Sequence, residues 1–155
     1  MITCDEKTWF CEQVGEMKQT MFRIAYSILR NNHDCEDAAS NAIVNAYKNL
    51  LKLKNRLVFK PWLIKILKNE CFAILRQNKR VVALDQDIAA QPEGLNIDLK
   101  MAISKLTEDN RIAVILYYLE GYSIAEISSI LNVPDGTLKS RLSRSRVQLK
   151  QLLEC

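Results

Sequence analysis

The sequence has little of what breaks, turns or cross-links a chain. Among 155 residues there are 4 Gly, 3 Pro and 1 His, and alternating runs of β-branched residues are almost absent. Architectures that need frequent tight turns and period-two strands are therefore excluded, and an all-α fold is expected. No apolar run approaches the roughly 18 residues that span a bilayer. The opening MITCDEKTWF is acidic where a secretory leader is basic and then apolar, so the protein is expected in the cytoplasm. Five cysteines, Cys4, Cys11, Cys35, Cys71 and Cys155, are odd in number and include no C-x-x-C pair. That pattern argues against a disulfide framework and against a zinc site. The lone His33 stands among polar residues before a helix, a surface position rather than a metal ligand. Nothing clusters as acid, base, nucleophile or metal-ligand set, so neither an enzyme nor a cofactor nor a small-molecule substrate is expected. The remaining composition, 48% hydrophobic and 26% charged, suits one ordinary globular domain or two small ones.

What is present in strength lies between Tyr122 and Lys150, YSIAEISSILNVPDGTLKSRLSRSRVQLK. Ile124, Ile127, Ile130 and Leu131 recur at helical spacing, while Glu126, Ser128 and Ser129 fall largely off that face. Asn132 tolerates a left-handed backbone, and Pro134 suits the first turn of a new helix, so a sharp turn is predicted between Leu131 and Thr137. Beyond it, Leu138, Leu142, Ser145, Leu149 and Leu152 share one sector. Thr137, Ser140 and Arg144 line one polar flank, and Lys139, Ser143, Arg146 and Lys150 the other. With Arg141 the second helix carries five basic residues, and Thr137 to Lys150 contains no acidic one. Solvated helix faces usually mix signs. An uncompensated positive face after a tight turn is how a helix-turn-helix meets phosphates and base edges.

Charge also divides the rest of the chain. Lys52 to Arg80 holds nine basic residues against Glu70 alone, whereas Val81 to Asp98 holds Asp85, Asp87, Glu93 and Asp98 with no Lys or Arg, plus Pro92 and Gly94. The second stretch reads as a flexible acidic linker, 81–98, between domains at 1–80 and 99–155. In the first domain four helices are expected. Asp5 to Val14 forms one, and Met17, Met21, Ile24, Ala25 and Ile28 mark the next, ending near Asn31. Asp34 caps a third whose buried stripe is Ala39, Ile43, Ala46, Tyr47 and Leu50. The fourth runs from about Phe59 to Lys79, with Trp62, Leu63, Ile66, Leu67 and Ile74 as core candidates. Leu51 to Leu57 is basic and poorly periodic, a loop beside the helical surface that carries Lys65, Lys68 and Arg76.

Two stretches together resemble a known family. MFRIAYSILRNNHDCEDAASNAIVNAYKNL with FKPWLIKILKNECFAILRQNKR looks like the region-two domain of extracytoplasmic-function (ECF) sigma factors. LTEDNRIAVILYYLEGYSIAEISSILNVPDGTLKSRLSRSRVQLKQLL is similar to their region-four domain. The sharpest parts are FKPWLIKILKNEC and VPDGTLKSRLSRSR. The resemblance implies a dissociable subunit of bacterial RNA polymerase, without covalent chemistry, that directs the core enzyme to particular promoters. It assigns −35 element contacts to Thr137, Lys139, Ser140, Arg141, Arg144 and Arg146. For the −10 element it assigns the surface of Lys54, Asn55, Arg56, Lys65, Lys68, Asn69, Arg76 and Arg80. Asp37, Ser40 and Asn41 fall on the polymerase-facing helix, where Asp37-Ala38-Ala39-Ser40-Asn41 replaces the family's D-x-V-Q-E-like run. The partners implied are promoter DNA, core RNA polymerase and an anti-sigma factor covering both domains, often one anchored in the membrane.

Two rivals have weaker support. The C-terminal stretch also resembles the DNA-binding domain of response regulators, transcriptional regulators that bind promoters without acting as a sigma subunit. Met1 to Arg80, however, lacks the alternating strands and helices of a receiver domain. A helical protein that sequesters polymerase or another sigma factor without reading DNA would have no use for an acid-free recognition helix.

Overall fold

A computed structural model describes residues 1–78 and 97–154. Arg80 and the expected linker up to residue 96 lie outside the described residues. No strand occurs among the described residues, as an all-α chain requires. The chain divides into two compact units, one N-terminal and one C-terminal.

The N-terminal unit packs α1 (Cys4–Leu29), α2 (Asn32–Lys48) and α3 (Phe59–Asn78) against one another. The two first helices expected from the sequence are one. Gly15 costs a helix interior about 1 kcal/mol. Phe10, Val14, Met17, Met21 and Ile24 nevertheless form an unbroken buried stripe across it, and that packing outweighs a single poor helix former. A capping box between Thr3 and Glu6 starts α1, and Arg30 ends it in the left-handed region at φ 61°. The cap of α2 is Asn31 rather than Asp34: the Asp34 amide donates to Asn31 Oδ1 at 2.8 Å. Asp34 sits inside the first turn instead, its carboxylate accepting from Asn31 Nδ2 and Asn78 Nδ2, each at 2.8 Å, which ties α2 to the end of α3.

The buried row of α2 is Cys35, Ala38, Ala42 and Ala46, with Ala39, Ile43 and Tyr47 only half-buried. The row is rotated from the expected stripe because small side chains let two helices close in on α2 from either side. In α3 the core is Phe59, Leu63, Ile64, Leu67 and Cys71, while Trp62, Ile66 and Ile74 are half-buried. Burying each large apolar side chain contributes about 1.5–3 kcal/mol. Between α2 and α3 the basic segment folds as two 3-10 turns, Leu50–Lys52 and Arg56–Val58, and Asn55 accepts the Leu57 N–H at 3.0 Å.

The C-terminal unit comprises α4 (Ile97–Ser104), α5 (Glu108–Val114), α6 (Ile124–Leu131) and α7 (Asp135–Glu154), with α7 packed on the other three. Asp98 lies in the first turn of α4, not in a linker. Arg111 is buried, and its Nη1 donates to the Ser104 and Leu106 carbonyls at 3.1 and 2.8 Å, closing the α4–α5 corner. Past Val114 the chain widens into a π-helical turn, Ile115–Leu119, in which Glu120 N–H donates to the Ile115 carbonyl. Gly121 at φ 74° then redirects the chain into α6. Ser123 and Glu126 form the capping box of α6, and Asn132 ends it at φ 55°. The Pro134 carbonyl accepts the Leu138 N–H, so the new helix starts immediately after the proline. One expectation for α6 fails: Ser128 is buried, its backbone carbonyl taking both the Asn132 and Val133 amides as the turn closes over it.

Candidate nucleic-acid interface

Helix α7 is anchored by Leu138, Leu142 and Ser145. A buried hydroxyl is tolerated there because Ser145 Oγ donates to the Arg141 carbonyl at 2.7 Å. Anchoring that sector turns Thr137, Lys139, Ser140, Ser143, Arg144, Arg146 and Lys150 to solvent, with Arg141 half-buried at the edge. Four of the five basic side chains are therefore exposed together on a helix whose first turn carries Asp135. Arg146 is not a free tether: its Nη1 donates to Tyr118 Oη at 2.9 Å. The π-helical turn presents Tyr118 outward, with Tyr117 edge-on behind it at 4.9 Å.

In the N-terminal unit, Lys65, Asn69 and Arg76 fall within about 40° on the wheel of α3 and are exposed, with Lys68 half-buried beside them. Lys60 is drawn out of this field into a 3.3 Å ion pair with Glu16. Lys54, Asn55 and Arg56 are exposed on the segment before α3. The Arg56 guanidinium lies over the Trp9 ring, 4.6 Å from its centroid. Glu6, one turn earlier on α1, shares a cleft with Trp9, Leu50, Leu51, Leu53 and Arg56. The Thr3 amide donates to Glu6 Oε2 at 2.7 Å and holds the Glu6 carboxyl below the usual carboxylate range, and the Arg56 charge acts the same way. Asp37, Ser40 and Asn41 are exposed on one face of α2, and exposed Val44 falls between them on the helical wheel. His33 is a surface residue, 3.7 Å from Asp37 one turn on.

Sequence patterning missed Trp9 and Tyr118, the aromatic partners of two predicted DNA-contacting arginines. No local signal marks them, because an aromatic at helical spacing reads as core and the partner lies 28 or more residues away. Val44 lies outside the expected buried stripe and has no role there, since periodicity alone does not mark an exposed apolar residue as part of a surface.

Comparison with known proteins follows the same division. Residues 14–81 match the family model for sigma-70 region 2, and residues 97–149 match that for sigma-70, region 4. The chain is 29% identical over 165 residues to the ECF RNA polymerase sigma factor SigW of Bacillus subtilis, covering 93% of this chain and 88% of the relative. It is 31% identical over 140 residues to the ECF sigma factor SigM of Mycobacterium tuberculosis, covering 86% and 71%. Among solved structures it is similar to the sigma factor RpoE of Bartonella quintana, determined in complex with the anti-sigma factor NepR. That match has a TM-score of 0.82 at 28% identity, covering 94% of this chain and 96% of the other. A regulator carrying only the C-terminal motif would not account for the match to region 2. With both sigma regions present in order and a relative above 30% identity across most of both chains, this protein belongs to the ECF family of RNA polymerase sigma factors.

Proposed function

We propose that the two units divide the work of promoter recognition. The C-terminal unit docks α7 in the major groove of the −35 element through Thr137, Lys139, Ser140, Arg141, Arg144 and Arg146. The N-terminal unit receives the −10 element as the duplex opens, along Lys54, Asn55, Arg56, Lys65, Lys68, Asn69 and Arg76, with Arg80 continuing the series in sequence. Core polymerase docks on the face of α2 that carries Asp37, Ser40 and Asn41. The observation that carries this reading is the exposed face of α7, cationic and free of acid from Thr137 to Lys150.

In this reading the protein acts in the cytoplasm as a dissociable specificity subunit with no catalysis of its own. Among the described residues no helix is long and apolar enough to cross a membrane, and no group of three or more His, Cys, Asp or Glu could hold a metal ion. An anti-sigma factor, soluble or membrane-anchored, would hold the protein inactive by covering these same surfaces. Run-off transcription with purified core polymerase on a promoter library tests the proposal. Specific initiation that disappears when either promoter element is scrambled is expected. Initiation no higher than with core alone would overturn it.

A further inference from the structure

The cleft between the start of α1 and the segment before α3 is lined by Glu6, Trp9, Leu50, Leu51, Leu53 and Arg56, of which Arg56 alone belongs to the promoter contact set. Trp9 is half-buried, its ring in a T-shaped contact with Phe59 at 5.1 Å between centroids and the Arg56 guanidinium over its face at 4.6 Å. Phe59 is fully buried and opens α3, so Trp9 rests on the rigid core at the point where the loop ends. Arg56 opens the 3-10 turn that leads into Phe59. The next two residues, Leu57 and Val58, are 90% and 46% exposed, so hydrophobic burial does not hold this turn in place. The turn is closed by the Val58 N–H on the Asn55 carbonyl and the Phe59 N–H on the Arg56 carbonyl, and its side-chain holds are the Asn55 cap and the grip of Trp9 on Arg56. Trp9 and Glu6 also precede the stretch that matches sigma-70 region 2, which begins at residue 14.

We propose that Trp9 is a positioning residue for promoter reading: packed on Phe59, its ring face holds Arg56 and so sets the conformation in which residues 54–58 meet the −10 element. This rests on the reading that the loop faces that element. A cation over an aromatic ring is attracted by the ring's quadrupole, which an aliphatic side chain of similar bulk lacks. The loop tip itself has little packing to choose one conformation, and ordering it only on DNA would cost conformational entropy at each binding event. A prefolded turn avoids that cost for the correct sequence and presents its side chains in one register. The first turns of α1 thus act on promoter choice without touching DNA.

The test uses the full chain with purified core polymerase, on promoters selected from a randomised library by the wild-type holoenzyme. The readout is −10 discrimination, the ratio of run-off transcript from the selected promoter to that from single −10 substitutions. Trp9→Leu, which keeps apolar bulk on Phe59 without a ring, should lower this ratio about fivefold, the factor that corresponds to roughly 1 kcal/mol. Trp9→Phe, which keeps a ring face, should retain most of it. Core affinity and discrimination at the −35 element should not move in either variant. Arg56→Ala should lose at least as much as Trp9→Leu, and the double variant should lose little more than Arg56→Ala alone. If Arg56→Ala loses −10 discrimination while Trp9→Leu retains it, or if Trp9→Phe falls as far as Trp9→Leu, the positioning role is overturned and the promoter-facing loop stands. If Arg56→Ala leaves −10 discrimination unchanged, the assignment of Arg56 to the −10 surface falls, and the positioning role falls with it.

Discussion

Arg144→Ala isolates the DNA-reading function of α7 more cleanly than any other single change. Arg144 is exposed, and among the described residues it makes no hydrogen bond or ion pair, unlike Arg146, which is held by Tyr118. Truncating it should therefore leave stability within about 0.5 kcal/mol of wild type. Its position sets what it can reach. Seven residues separate it from Thr137, about 10.5 Å along a helix rising 1.5 Å per residue, close to the roughly 12 Å width of the major groove. Lys150 lies about 9 Å further on by the same rise and falls beyond the groove. If Arg144 meets a phosphate, its loss should cut the dependence of log K on log salt by about 0.9. The deficit of the variant would then shrink by a factor of about 3.5 between 50 and 200 mM salt. If it reads a guanine, the deficit should be about 5- to 150-fold and should relax preference at one base pair. Fluorescence anisotropy on −35 duplexes over a salt series separates the two cases, and run-off transcription on promoters with intact or scrambled −35 elements places the effect in function. Core binding should be unchanged. An equal loss of core affinity, or a fall in thermal stability beyond 1 kcal/mol, would show that Arg144 is structural and that α7 faces another way.

Three further changes probe the framework that holds these surfaces. Arg111→Met keeps the volume of a buried side chain but removes its donors to the Ser104 and Leu106 carbonyls, and should cost about 3 kcal/mol in denaturant unfolding of the C-terminal unit. A loss below 1 kcal/mol would mean water replaces the guanidinium. Tyr118→Phe frees Arg146 and should lower use of −35-dependent promoters by no more than about fivefold, and should add little when made on top of Arg146→Ala. Full additivity of the two would sever the link. Burial pushes the Cys35 and Cys71 thiols up to about 12 from an ordinary value near 9. The unfolded chain thus loses these protons first, so stability should be insensitive to these thiols below pH 9 and fall between pH 9 and 12 by about 1.4 kcal/mol per unit per thiol. Cys35→Ala with Cys71→Ala should flatten that limb of the stability curve. At neutral pH a thiol reagent should label the exposed Cys4 and Cys11 and reach Cys35 and Cys71 only on unfolding.

The sequence by itself determined the features written in short-range spacing. These are the helical class, the turn at Asn132, the apolar sector of Leu138, Leu142 and Ser145, and the acid-free face that this sector turns outward. Each depends on residues within one or two helical turns, where periodicity and backbone preference decide the outcome. Tertiary structure decided whatever required weighing local preference against distant packing. Gly15 stays inside α1 because α2 and α3 cover the stripe across it, and Asn31 rather than Asp34 caps α2 while Asp34 is recruited by Asn78, 44 residues away. The same holds for the candidate site. Its cations were legible as a count of like charges, but which of them stands free is settled by Glu16 on Lys60, Tyr118 on Arg146 and Trp9 on Arg56. Contacts across such separations leave no period in the chain, since they exist only once the helices have packed.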